Sequence, residues 1–211
     1  MMTVGVDRAA VETALLAGEL GCPALGCPGQ LGPWGWARER ALRGETGQVR
    51  LRPRRSRCGG CQRTHVLLPA SVLLRRADVV TVIGAALLAK VSGTGHRKIA
   101  AALGRPDATV RGWLRRIVAV AEAVLAALGV LAAELGVEFI APAPTTTPVA
   151  AVVELVGALA RAAARVLGGS CSPWRLATVL CGGRLLSPHG PDLVRGPPVG
   201  SNTRCLWGAG G

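Results

Sequence analysis

Apolar residues recur at helical spacing along the later part of the chain and at strand spacing only near its front. Over 77–91 (ADVVTVIGAALLAKV) Val79, Val82, Ile83, Ala86 and Leu87 share one side of a helix, with Lys90 the lone polar residue there. Residues 117–136 and 149–168 carry similar periodicity and predict two longer helices. APAPTTTP at 141–148 is a linker, since proline and threonine interrupt helical structure. In the front part Trp34 and Trp36 stand two apart, as do Val49 and Leu51, with turn-forming RGETG between them. That is the pattern of a β-hairpin, to which THVLL adds a third strand. Residues 1–20 read as a short helix or loose lead-in. The Gly- and Pro-rich segment 169–211 reads as a poorly ordered tail, with a helical turn or two in SPWRLATVL.

The stretch HRKIAAALGRPDATVRGWLRR at 96–116 predicts two short helices around a tight turn. Ile99, Ala100 and Leu103 share one face of the first, and Val110, Trp113 and Leu114 one face of the second. Gly104 tolerates the positive φ of the turn, and Ala100 is small where the helices cross. Pro106 suits a helix start and Asp107 complements its positive end. With 77–91 as the first helix, 77–116 becomes a three-helix helix-turn-helix unit. An ordinary αα-hairpin with a solvated basic face shares much of this pattern.

The second helix of such a unit enters the major groove, its N-terminal half at the base edges. That assigns Asp107, Ala108, Thr109, Arg111 and Gly112 to the reading face. Arg111 is the best base reader, because a guanidinium matches guanine O6 and N7. Thr109 contacts a base edge or a phosphate, and Asp107 chiefly stabilises the helix end. Arg97, Lys98, Arg115 and Arg116 are placed as phosphate clamps. Charge points the same way. The chain of 211 residues carries +13, and residues 31–116 hold 18 of its 25 Lys and Arg against only Glu39, Glu45, Asp78 and Asp107. A localised basic field suits a polyanion, because displaced counterions drive association.

Cysteine spacing adds a metal. Cys22 and Cys27 form C-x4-C, and Cys58 and Cys61 form C-x2-C. Two thiol pairs on Gly/Pro-rich knuckles at the ends of a hairpin-like segment deliver four soft ligands to one tetrahedral structural Zn²⁺. A segment with so small a core also needs such a staple. CGGC matches a thioredoxin-like dithiol too, but it lacks the βαβ context and leaves Cys22 and Cys27 unexplained. His65 is a substitute ligand or a plain strand or loop residue. Cys171, Cys181 and Cys205 read as structural or incidental. The fold class expected is therefore mainly α: an N-terminal small β zinc ribbon, a three-helix helix-turn-helix unit and further helices. Its domains are a lead-in at 1–20, a zinc-ribbon-like domain at 21–70, the helix-turn-helix at 77–116, a helical hairpin or dimerisation region at 117–168, and the tail.

The order CPALGCPGQLGPWGWAR, RLRPRRSRCGGCQRTHVLLP, GHRKIAAALGRPDATVRGWLRR resembles a group of actinobacterial proteins over about residues 21–116. These carry a zinc-ribbon-like domain of unassigned function before a helix-turn-helix and look like the front ends of insertion-sequence transposases. That group has CPxC at its first knuckle where this chain has CPALGC, so the departure falls on Cys27. The resemblance implies DNA binding tied to mobile elements and supplies no catalytic activity.

A transposase catalytic domain needs three carboxylates on a mixed sheet around Mg²⁺. Beyond residue 116 only Glu122, Glu134, Glu138, Glu154 and Asp192 remain, and no GxxxxGK[ST], GxSxG or HExxH occurs. The expectation is a non-enzyme: a transcriptional regulator or a transposition-associated accessory protein. Its candidate partners are double-stranded DNA, a second copy in a homodimer and a separately encoded recombinase. A protein- or RNA-binding adaptor and a transposase remnant are the alternatives. No secretory leader is visible, and VAVAEAVLAALGVLAAELGV is interrupted by Glu122 and Glu134, so a cytoplasmic protein without a membrane span is expected.

Overall fold

The computed structural model describes residues 1–134, 136–137, 146–167, 172–188 and 190–191. Six strands and six helices occur among them. Four strands, β1 (Met2–Val4), β2 (Leu31–Trp36), β5 (Arg54–Cys58) and β6 (Thr64–Pro69), form one mixed sheet in the order β1-β6-β5-β2. β1 runs parallel to β6, whereas β5 is antiparallel to both β6 and β2. The strands β3 (Arg40–Arg43) and β4 (Gln48–Leu51) form a separate two-stranded ribbon.

The helix α1 (Arg8–Leu16) packs on one face of the sheet. Asp7 caps it, its carboxylate accepting from the Ala9 and Ala10 N–H groups at 2.8 and 3.2 Å. This satisfies two of the donors that a helix start leaves open. Val11, Ala14 and Leu15 recur on one side of α1 and bury with Met2, Val4, Leu20, Leu31, Cys58 and Leu67 in a first core.

This architecture corrects the expected fold class. The chain is not mainly α with a small front-end zinc ribbon; its N-terminal part is a mixed four-stranded sheet with its own helix. The strand pairing differs from the expected hairpin as well. RGETG does turn the chain, but between β3 and β4, while Trp34 and Trp36 lie on β2, paired with β5. The strand at 40–43 is inconspicuous because its sequence, RALR, has one buried residue, Leu42. Residues 1–20 contain the short helix expected there, α1, and also β1, which went unread because its parallel pairing with β6 spans 65 residues and leaves no periodic trace in a three-residue strand.

The second core is helical. It joins α2 (Val80–Val91), α3 (His96–Leu103), α4 (Asp107–Glu134), α5 (Pro148–Leu167) and α6 (Pro173–Leu180). α4 does not stop near residue 116 but runs on as one helix, burying Val110, Trp113, Leu114, Ile117, Val120, Val124 and Leu128 along one side. Nothing between 107 and 134 breaks it, since its two glycines, Gly112 and Gly129, cost only ~1 kcal/mol each. α5 packs against α4 with Val152, Leu155 and Leu159, so each helix covers the other's apolar side. By length and composition α4 is apolar enough to cross a bilayer. One side of it, from Val110 to Ala132, lies in the helical core. The expected linker at 141–148 lies mostly outside the described residues. Of 169–211, residues 172–188 and 190–191 are described, and there Trp174, Ala177 and Leu185 are buried.

A buried ion cluster ties the ribbon to the helices. Asp78, 2 % exposed, accepts from Arg43 Nη2 at 2.6 Å and from Arg105 Nε at 2.7 Å. Arg105 also donates to the Gly44 carbonyl at 2.6 Å and the Leu103 carbonyl at 2.9 Å. The end of β3, the entry to α2 and the turn before α4 thus meet on one carboxylate.

Candidate functional site: four thiols and a basic helix pair

The four cysteine sulfurs lie within 4.8 Å of one another and could hold a metal ion. The closest approaches run between the pairs: Cys22 Sγ to Cys61 Sγ is 3.7 Å, and Cys27 Sγ to Cys58 Sγ is 3.6 Å. Four thiolates at ~2.3 Å from a tetrahedral zinc have sulfur–sulfur edges of about 3.8 Å, so the donor set fits. Among the described residues this is the group of metal-ligating side chains that comes together.

Both pairs sit on knuckles whose backbone N–H groups turn toward sulfur. Ala24 N–H donates to Cys22 Sγ, Gly29 N–H to Cys27 Sγ and Cys61 N–H to Cys58 Sγ, each at 3.4 Å. The knuckles are laced together: Cys22 N–H donates to the Gly29 carbonyl at 2.8 Å, and Gly59 N–H to the Gln30 carbonyl at 2.9 Å. Gly29 is required by proximity. A β-carbon there would lie 2.6 Å from Cys58 Sγ and 2.9 Å from Gly60 N.

The site is anchored at one end and open at the other. Cys58 is fully buried beside Leu31 and Leu67, whereas Cys61 is exposed. The N–H of Cys61, with that of Gly60, brings the Cys58 thiol down to about 7 against the opposing effect of burial. Burial pushes Cys22 up to about 12, with the neighbouring thiols adding to it. His65 lies on β6 with Nε2 3.7 Å from Cys22 Sγ. It is buried, and burial, then the N-terminal charge and Arg63, hold its imidazole below the usual range. Cys171 and Cys205 lie outside the described residues. Cys181 is buried, which pushes its thiol up to about 12 and leaves it a small apolar side chain.

The residues expected at DNA fall on α3 and α4. Gly104 has φ 60° and ψ 41°, and its N–H and that of Arg105 return to the Ala101 and Ala100 carbonyls at 3.2 and 2.9 Å. Left-handed glycine closes α3 in this way. Ile99, Ala100, Val110 and Trp113 are buried, which turns other sides of both helices outward. Arg97 and Lys98 are exposed in the first turn of α3. Asp107, Ala108, Arg111, Arg115 and Arg116 are exposed on α4, and Thr109 and Gly112 are half-buried. Arg116 Nη1 folds back to the Gly112 carbonyl at 3.5 Å. Burial, followed by the charge of Arg116, lowers the affinity of the Arg76 guanidinium for its proton.

Sequence reasoning missed Asp78 and Arg105, which fix the turn before α4. Their only advance sign was an acid in a block of bases. It also left unread the tryptophan–arginine contacts of the sheet. Arg8 and Arg54 lie over the Trp36 ring at 4.4 and 4.8 Å, and Arg57 lies over Trp34 at 4.6 Å. Comparison of the whole chain with protein-family models, with curated proteins and with solved structures finds no match.

Proposed function

We infer that this chain binds double-stranded DNA through the first turns of α4, presented by α3 and the Gly104 turn, and that its four cysteines hold a structural Zn²⁺. The carrying observation is the sidedness of this helix pair. Val110 and Trp113 anchor α4 in the core, while Arg111 and Arg115 project from its exposed side and Arg97 and Lys98 stand at the start of α3. In the duplex complex Arg111 reads a guanine from the major groove. Arg97 and Lys98, beside the open N–H groups of the α3 start, hold phosphate. Arg115 adds a further phosphate contact.

The four thiolates bind zinc, and Zn²⁺ supplies rigidity rather than chemistry. Cys22, Cys27, Cys58 and Cys61 clamp the loop before β2 to the β5–β6 connection. That clamp supports a sheet whose core is small.

Selection from random duplex DNA by the zinc-loaded full chain tests the reading. A converged motif is expected, and Arg111→Ala should lose discrimination at one position, worth about 1–3 kcal/mol for a bidentate contact. Recovery of no motif, or retention of RNA in preference to duplex DNA, overturns it.

A further inference from the structure

The sheet has two unlike faces. Residues alternate across a strand, and on β5 Ser56 and Cys58 are buried toward α1 while Arg55 and Arg57 turn the other way. On that other face Thr3 and Leu68 of the β1–β6 end are covered, Gly183 approaching Thr3. The β5–β2 end is open. Arg55 and Arg57 are half-buried, Thr64 is exposed, and Trp34 is 48 % exposed.

The two tryptophans of β2 differ in kind. Trp36 has two guanidiniums over its ring, and Arg54 is further held by Glu12 through Nε at 2.9 Å and Nη2 at 3.0 Å. That ring is fully engaged in structure. Trp34 has one guanidinium, Arg57, and about half its surface remains in solvent. An exposed indole is costly to leave in water and offers a flat π-surface. It stands in a strongly basic setting: residues 31–65 hold nine arginines against Glu39 and Glu45. Among the described residues only Arg43, Arg50 and Arg54 of these nine form ion pairs.

We propose that the open β2–β5 face binds single-stranded DNA, one unpaired base stacking on Trp34 while Arg55 and Arg57 hold its phosphates. The choice of an unpaired strand follows from the ring, since duplex bases already stack on each other and leave an indole nothing to cover. Charge complementarity selects a nucleic acid, because bases on aromatic rings between arginines are the general means of holding one strand. The choice of DNA over RNA rests on the duplex-DNA reading above.

The test is fluorescence anisotropy with the metal-loaded full chain and three labelled probes: a dT12 strand, the matching rU12 strand and a mixed-sequence duplex. Wild type should bind dT12 in a salt-dependent way. Trp34→Ala should weaken dT12 binding about tenfold, the range of one stacked base, and leave duplex affinity unchanged, while Trp34→Phe restores dT12 binding. Equal binding of dT12 by wild type and Trp34→Ala overturns the proposal, as does tighter binding of rU12 than dT12. Failure of the duplex probe with Trp34-dependent dT12 binding would remove the α4 reading and leave this one standing. Should Trp34→Ala lose its zinc, Arg55→Gln carries the test. It should flatten the salt dependence for dT12 by about 0.7 in log–log slope, and an unchanged slope overturns the proposal.

Discussion

Replacing Gly29 by alanine places a methyl carbon 2.6 Å from Cys58 Sγ, 2.9 Å from Gly60 N and 3.0 Å from Gly60 Cα. Two of these neighbours are backbone and the third is a fully buried sulfur, so no flexible side chain can yield. Ordinary contact begins near 3.4 Å, and the knuckles must therefore part by about 0.8 Å, several times the ~0.2 Å that metal–ligand distances tolerate. Losses of tenfold to a hundredfold in affinity follow from lesser disturbances around a metal, equivalent to about 1.4–2.7 kcal/mol. With zinc in excess the same free energy appears as lost stability, lowering Tm by roughly 3–10 °C for a chain of this size. Gly59→Ala is the control, since its new carbon meets nothing closer than the Gln30 carbonyl at 3.8 Å. Competition against a chromogenic chelator, with metal content per chain and thermal melting, gives both readouts. Zinc affinity in Gly29→Ala equal to that of Gly59→Ala would refute the idea that the thiols close on a metal in this geometry.

Asp78→Asn should destabilise the chain by about 3 kcal/mol, the order expected when one partner leaves a buried charge group and Arg105 stays behind; urea denaturation reads it, and a loss under 0.5 kcal/mol would remove the cluster from the stability argument. Gly84→Ala should be worse than a surface change by more than 1–3 kcal/mol, because its β-carbon overlaps the Trp174 ring. Loss of the near-ultraviolet signal of Trp174 should accompany it, and native melting would contradict it. Gly104→Ala meets open space but must hold φ 60°, so it should cost about 1–2 kcal/mol, with Gly104→Asn costing less. Equal urea midpoints for Gly104→Ala and wild type would show that the turn relaxes.

Legibility along the chain followed the range of the interactions. Gly104 was readable because left-handed backbone selects glycine locally, and α5 because its apolar spacing is continuous over twenty residues. The four thiols were readable because ligand chemistry needs particular residue types, whatever the fold between them. Strand partners were not. The pair Val49 and Leu51 has the right parity to face Trp34 and Trp36, but Leu42 and Arg40 take those places, with Glu39 pairing Arg50 at 2.9 Å beside the ribbon. Parity says which face a residue takes and is silent on which strand lies alongside. The Asp78 cluster was hidden for a related reason: its arginines come from 35 residues before and 27 after, and in a chain with 25 basic residues no pair announces itself.

The parallel pairing of β1 with β6 also sets an order of events during synthesis. Met2 and Val4 need Leu67 and Pro69 beside them, and at 5–20 residues per second the ribosome takes about 3–13 s to make the intervening 65. For that interval α1 and β1 lack Leu67 and have only Leu20, Leu31 and Cys58, as each emerges, to complete their core, so part of their apolar surface is open to any chaperone at the tunnel exit. The wait is longer still on the other face, where Thr3 meets Gly183. Residues 2–4 are thus made well before their final neighbours exist.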